Sequence, residues 1–284
     1  MFPSRGDRLL LPGLRTAALL TGGVVVLLLA FLIVEAWPGL RAVGLTRFFT
    51  DPSWHPAGEE GTFNLAPMLV GTLAAAAGAL AFSSPLALGS ALFCHYFAGQ
   101  AQATLYRRLI EVLAGVPSVV YGFWGLVVLV PLIRRLEPPG ASLFAGILVL
   151  TIMILPTLML SADAAFAAIP EDYFKAAAAL GLSRPAVIAH VVLPASRGGL
   201  ATGLMLSTGR AVGETMAVLM VCGNVVQTPD SLFDPIRTLT ANIALEMAYA
   251  LGDHRAALFV SGLVLMGLVI ALVLAAATVV REPA

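Results

Sequence analysis

The sequence predicts an all-α membrane protein with six transmembrane helices. Three observations carry that prediction: 59% of the 284 residues are hydrophobic, only 11% are charged, and long apolar stretches recur along the chain. Soluble domains hold about 25% charged and ~45–50% apolar residues, so this apolar surplus exceeds what one compact core hides, and lipid must face the rest. The mean hydropathy of +0.94 agrees. Sixteen Lys and Arg balance sixteen Asp and Glu, so no bulk charge points to nucleic acid. Cys94 and Cys222 lie far apart, His55, His95, His190 and His254 are scattered, and no CxxC or Cys/His cluster occurs. A metal or redox centre is therefore not expected.

A hydrocarbon core ~30 Å thick needs roughly 20 apolar residues of helix. Stretches at 16–36, 65–93, 109–133, 142–168, 199–222 and 255–280 meet that length. Lipid offers backbone groups no outside partner, so each must be helical. The first follows a polar segment with three arginines, Met1–Arg15, and is longer than the ~7–15-residue core of a signal peptide, so it reads as a retained span. After it, Trp37–Asn64 is rich in Pro, Gly and acid and reads as an outer loop, a surface for an external partner. The chain thus divides into 1–64 (tail, first helix, outer loop) and 65–284 (transmembrane domain).

Thr72 in the second span is expected to bond its own helix backbone. Pro117 removes a donor within the third span and predicts a kink. Broken helices near the midplane often line transport sites, so the Ser118 and Tyr121 hydroxyls beside it are candidate path residues, although a packing kink explains them equally well. Glu111 and Asp163 fall near span ends and read as solvated. The segment 223–253 is an outer excursion with enough alternating polarity to dip back toward the membrane. No phosphate-cradling loop occurs, so any ATP is hydrolysed by another chain.

Basic residues near span ends set orientation. With the N-terminus inside, Arg5, Arg8, Arg15, Arg107, Arg108, Lys175, Arg184, Arg197 and Arg281 are internal, while Arg41, Arg47, Arg134, Arg135, Arg237 and Arg255 are external. Nine against six favours both termini in the cytoplasm.

The cytoplasmic loop over 170–194 carries helix punctuation. Pro170 suits a first helical position, Glu171 and Asp172 complement the dipole there, four alanines propagate the helix, and Gly181 terminates it. Ser183 can cap a second short helix that ends at Pro194. The product is two short helices joined at a glycine, either a knob that another protein grips or an ordinary amphipathic connector. In the fifth span, Arg210 and Glu214 are four apart, share one helical face and can pair. Intramembrane charges cost at least ~2.5–3.5 kcal/mol and usually face a bundle interior or a watery path. The pair is thus either a structural tie or part of an anion path, in which Arg210 meets the anion and Glu214 holds it in place.

Resemblance narrows these alternatives. Lys175-Ala176-Ala177, Gly181 and Val191-x-Leu193-Pro194 resemble the cytoplasmic signature of ABC importer permeases: Glu-Ala-Ala, three residues, Gly, nine residues, Ile, one residue, Leu-Pro. Lys175 stands where the family has Glu and Val191 where it has Ile, so any salt bridge there passes to Glu171 or Asp172. Gly209-Arg-Ala-Val-Gly-Glu-Thr-Met-Ala-Val218 is similar to the motif of phosphate-specific transport permeases, and Met216-Ala217-Val218 resembles their C-type subunit. Gly115–Gly122 with Trp124-Gly125, and Arg237–Glu246, agree. The likeness runs from about residue 61 to the end of the sequence.

The resemblance implies the type I ABC importer permease fold, residence in a bacterial inner membrane and a path through Arg210, Glu214 and Thr215, to which Pro117 adds the candidates Ser118 and Tyr121. It implies ATPase coupling through Glu171, Lys175, Ala176, Ala177, Gly181, Leu193 and Pro194. The implied partners are a second, A-type permease subunit, an ATPase dimer that binds ATP and Mg, and an external or periplasmic phosphate-binding protein; this chain itself needs no cofactor. The residues also admit a permease for sulfate, molybdate or phosphonate, or a proton-coupled transporter with Glu214 as carrier. An intramembrane enzyme would need a reactive cluster, and none occurs within the spans.

Overall fold

The computed structural model describes residues 5–58 and 61–280, with side chains over 11–58 and 61–275. Arg281 and the side chains of Arg5 and Arg8, which enter the charge bias, lie outside the described residues. The elements run α1 (Arg5–Val43), α2 (Arg47–Thr50), β1 (Trp54–His55), β2 (Thr62–Phe63), α3 (Ala66–Leu92), α4 (Gln100–Ala114), α5 (Ser118–Trp124) and α6 (Val130–Arg134). There follow α7 (Leu143–Ala167), α8 (Glu171–Ala179), α9 (Arg184–Val187), α10 (Leu193–Gly213), α11 (Met216–Val221), α12 (Leu239–Glu246) and α13 (Gly252–Val280). π-Helical turns extend α3 over Phe93–Phe97, join α5 to α6 over Gly125–Leu129 and join α9 to α10 over Ile188–Val192.

Among the described residues, five helices are long and apolar enough to cross a membrane, and a sixth span is the pair Gln100–Ala114 and Ser118–Arg134, bent by 90°. The chain is an all-α membrane protein with six spans, one of them broken. The third span expected over 109–133 is thus not one kinked helix. Pro117 takes an extended conformation (ψ 141°) ahead of α5 and stops the helix outright, because its ring and missing donor fit a helix start and not an interior.

Two other expectations fail in the same region of chain. The loop helix expected to stop at Pro194 does not: a π-helical turn ends at Val192 and Pro194 enters the first turn of α10, so helix runs on to Gly213. The wider turn shifts the hydrogen-bond register just where proline has no donor. The fifth span expected over 199–222 then breaks at Glu214, and α11 starts afresh at Met216.

The chain divides into two compact units, one comprising residues up to Asn64 with Glu246–Val264, the other Leu65–Leu245 with the chain from Leu265 onward. In the first unit, Phe31 of α1 meets Phe259 of α13 edge-on at 5.7 Å, and Ala36 is fully buried. Much of α1 stays open in the single chain, Leu19 and Leu20 being 74% and 72% exposed, so lipid or another chain must cover it. The loop after α1 has its own core of Phe48, Trp54 and Phe63. Arg47 grips Asp51 through two hydrogen bonds of 3.1 and 3.0 Å, and Asp51 also accepts the Phe63 amide. Trp54 Nε1 donates to Glu246 Oε2 at 2.9 Å, and His254 Nε2 lies 2.8 Å from the same oxygen.

The second unit is built around α7, whose buried face includes Val149, Met153, Ile154 and Met159 and packs against α3, α10 and α4. Asp163, expected to be solvated, instead accepts two bonds from Arg107 at 2.8 and 2.9 Å, tying α4 to α7.

Candidate functional site

Gly213 ends α10, Glu214 adopts an extended conformation (φ −68°, ψ 132°), and Thr215 leads into α11. A break leaves the first amides of the new helix without helical partners, and Glu214 Oε1 accepts one of them, from Ala217, at 3.1 Å. Arg210, in the last turn of α10, donates from Nη1 to Thr157 Oγ1 of α7 at 3.3 Å. Among the described residues no ion pair joins Arg210 to Glu214. The expected pairing fails because the helix that would align the two side chains stops between them. Arg210 is partly buried and, among the described residues, its side chain bonds only a neutral hydroxyl, so its charge remains available to an anion.

The returning segment supplies one wall of this break. Thr240 Oγ1 donates to the Glu214 carbonyl at 2.7 Å, and the Leu239 amide donates to Thr72 Oγ1 at 3.0 Å. Thr72 does donate to its own helix at Met68 O, as expected (2.7 Å), but its oxygen also accepts the amide at the start of α12. Thr238 Oγ1 accepts the Ala241 amide at 3.2 Å and caps that helix. Ile236, Leu239 and Asn242 are fully buried, so this stretch of the excursion packs inside the fold. Thr157 and Thr240 were not singled out from the sequence; a hydroxyl in an apolar run carries no pattern that distinguishes a long-range partner from a local backbone bond.

A second wall comes from α5. A Cβ on Gly122 would lie 2.8 Å from Ala217 Cα, so only glycine lets α5 and α11 approach this closely. Tyr121 is 7% exposed and its hydroxyl donates to Leu113 O at 2.7 Å, a carbonyl at the end of α4 that also accepts the Val116 amide at 3.2 Å. That hydroxyl is committed to the break between α4 and α5 and is not free to donate to a substrate. Ser118 opens α5, partly buried and without a side-chain hydrogen bond among the described residues. Thr215 Oγ1 bonds only locally, to Gly213 O at 3.4 Å. The structure therefore places Arg210, Glu214 and Thr215 at one helix break, against which α5 packs through Gly122, while Tyr121 serves the separate break between α4 and α5. A cavity of about 210 Å³ between α3, α7 and α10, lined by Ser84, Ala87, Leu158, Ala162, Leu200 and Leu204, is apolar and does not include Arg210.

In the loop over 170–194, Pro170 precedes α8 as its cap, one position earlier than expected, with Glu171 and Asp172 in the first turn. Gly181 has φ +66°, and the bonds Leu182 N to Ala177 O (3.1 Å) and Gly181 N to Ala178 O (3.0 Å) close the helix as a Schellman turn. Ser183 sits at the start of α9 but its hydroxyl makes no cap bond. Lys175 reaches Asp172 at 3.1 Å and Glu171 at 3.7 Å, with all three side chains at least 70% exposed. Ala176 is exposed whereas Ala177 is 3% exposed, so of the two alanines only Ala176 is presented outward, and Ala177 seats α8 on its own domain. Leu193 is partly buried and Pro194 exposed, both in the helix that continues into α10.

The chain is thus a membrane-spanning helical bundle with a charged helix break and a short helix displayed on one loop. A family model described as "Binding-protein-dependent transport system inner membrane component" matches residues 83–282. The phosphate transport system permease protein PstC of Mesorhizobium japonicum is 34% identical, the match covering 90% of this chain and 83% of that one. PstC of Haemophilus influenzae is likewise 34% identical, over 88% and 86%. The probable ABC transporter permease YqgH of Bacillus subtilis is 38% identical over 74% and 69%. The chain belongs to the binding-protein-dependent inner-membrane transport family and, within it, to the phosphate transport system permeases of the PstC type. It is accordingly a permease subunit and not an enzyme. Among solved structures, the inward-facing MetNI methionine ABC transporter matches with a TM-score of 0.60 at 22% identity, covering 76% of this chain and 94% of that one. The bacterial alginate ABC transporter, in complex with a pentasaccharide-bound periplasmic protein, matches with 0.63 at 15%, covering 96% of each. These likenesses show a shared fold.

Proposed function

We propose that this chain is the C-type permease subunit of an ATP-driven importer of inorganic phosphate. It would act with an A-type second permease, an ATPase pair that holds ATP and Mg, and an external phosphate-binding protein. Both termini and the loop over 170–194 face the cytoplasm, as the bias of basic residues favours.

The observation that carries the substrate reading is the Arg210 guanidinium at a helix break inside the spans, oriented by Thr157 and not neutralised by Glu214. A phosphate oxyanion gives up water to cross, and lipid returns nothing. A guanidinium offers paired planar donors and keeps its charge throughout. Glu214 holds the start of α11 and, with Thr240 on its carbonyl, keeps the break open beside Arg210. Ser118 and Thr215 are further hydroxyls on that path. In the loop, Glu171, Lys175 and Ala176 form the face offered to the ATPase, Ala177 and Gly181 set the position of α8, and Leu193 and Pro194 pass its movement into α10.

The test is uptake by the four-component complex in vesicles, with phosphate, sulfate, molybdate and phosphonate in competition. Phosphate alone should drive uptake and stimulate ATP hydrolysis. Equal competition by sulfate, or uptake that survives ATP depletion and collapses with the proton gradient, would sink the assignment.

A further inference from the structure

The exposed face of α8 explains what a partner could grip, but not how a pull on α8 reaches the membrane helices. Phe174 lies on the opposite face, packed against the core of the chain. Its ring is 6.2 Å from that of Tyr96, in the π-helical turn that ends α3. Tyr96 is in turn 6.0 Å from Phe166 of α7, which is 1% exposed, and 4.8 Å from His95. His95 also meets Phe166 at 6.2 Å. Asp163, three residues before Phe166, holds Arg107 of α4 through two bonds and lies 3.4 Å from His95 Nδ1. One aromatic and ionic cluster thus connects α8 to the ends of α3, α4 and α7.

We propose that Phe174 is a positioning residue that transmits movement of α8 to the membrane helices, with Tyr96 as the ring that receives it. The inference rests on the reading of the 170–194 loop as the ATPase handle. Packed interiors are dense and shift between discrete arrangements, so a planar ring wedged against another passes on a displacement that looser packing would absorb. His95 and Tyr96, consecutive in the π-helical turn, both belong to this cluster. The Tyr96 hydroxyl is buried without a hydrogen-bond partner among the described residues, so the ring and not the oxygen is the working part.

The experiment measures ATP hydrolysed per phosphate imported by the complete complex in vesicles. Phe174→Ala and Tyr96→Ala should each raise that ratio about fivefold or more, the lower range of ordinary coupling between sites. The double variant should be no worse than either single one, because both break the same link. Tyr96→Phe should keep the wild-type ratio, which a hydroxyl-dependent structural role would not allow. If either alanine variant assembles and retains the wild-type ratio, the proposal is overturned. If Phe174→Ala fails to bind the ATPase, Tyr96→Ala decides, since Tyr96 is not on the outward face of α8. Loss of the ATPase from both would make the cluster purely structural and likewise overturn it. Ala176→Arg, on the outward face, tests the handle itself: continued ATPase binding and coupling there would remove the loop reading, independently of Phe174.

Discussion

The carboxylate of Glu214 accepts the Ala217 amide and so caps α11, leaving Arg210 to the hydroxyl of Thr157. Four residues apart, the two charges do different work because a helix ends between them. Arg210→Ala is expected to abolish phosphate uptake while the protein still reaches the membrane, as read by transport assay and membrane fractionation. Thr157→Ala should weaken uptake by about two- to tenfold, the effect of one modest hydrogen bond of ~0.5–1.5 kcal/mol.

Glu214 acts first on structure. Glu214→Ala removes the acceptor at the start of α11 and should cost about 0.5–2 kcal/mol, the usual value of a lost cap. Glu214→Gln keeps an oxygen in place and should keep most of that stability. Thermal unfolding in detergent separates the two, and equal Tm values would show that the cap bond is not made.

Tyr121→Phe removes one of the two donors to the Leu113 carbonyl at the break between α4 and α5, leaving the Val116 amide. The expected cost is about 0.5–1.5 kcal/mol, that of one ordinary hydrogen bond, since the carbonyl keeps its backbone donor. Phosphate uptake per folded complex should persist, because that hydroxyl is already spent on the backbone. A selective loss of uptake at unchanged Tm would return Tyr121 to the substrate path.

Gly181 holds φ +66° at the end of α8. A bulky residue there is strained by roughly 1–2 kcal/mol in the left-handed region and tilts the helix that the ATPase is proposed to hold. Gly181→Val should uncouple hydrolysis from uptake, so that basal ATP turnover persists without transport. Unchanged coupling would show that α8 is not gripped at this end.

In the loop between α1 and α3, the Arg47 guanidinium bonded to Asp51 holds its carboxyl below the ordinary value of 3.8. The folded loop therefore binds this proton less readily than the unfolded chain does. Its contribution to stability is complete above 3.8 and is lost as pH falls through the lower folded value. Hydrogen exchange at the Phe63 amide, which Asp51 accepts, should accelerate relative to its intrinsic rate over that acidic range. In Arg47→Ala that acceleration should begin at higher pH.

Six spans and their order were legible because lipid forces any long apolar run into a helix, and composition alone reveals such runs. The loop helix over 171–179 was legible for a similar reason: proline, acid, alanine and a left-handed glycine are local signals read within one or two turns. Arg210 was legible as a charge among apolar residues. Its partner was not, since nothing local in the sequence points from Arg210 to Thr157, 53 residues away.

What the sequence by itself determined is thus the set of helices, their approximate ends and the residue types that could meet an anion or a partner. Only the tertiary structure decided that the third span breaks, that the fifth ends before Glu214, that Asp163 is paired, and that Ala177 faces inward. Those outcomes depend on long-range donors and acceptors such as Thr240, Thr72 and Arg107, which make a break or a buried charge tolerable by satisfying it from elsewhere in the chain. Hydrogen-bond satisfaction in a medium without water is a global condition, and a local pattern of residues cannot state it.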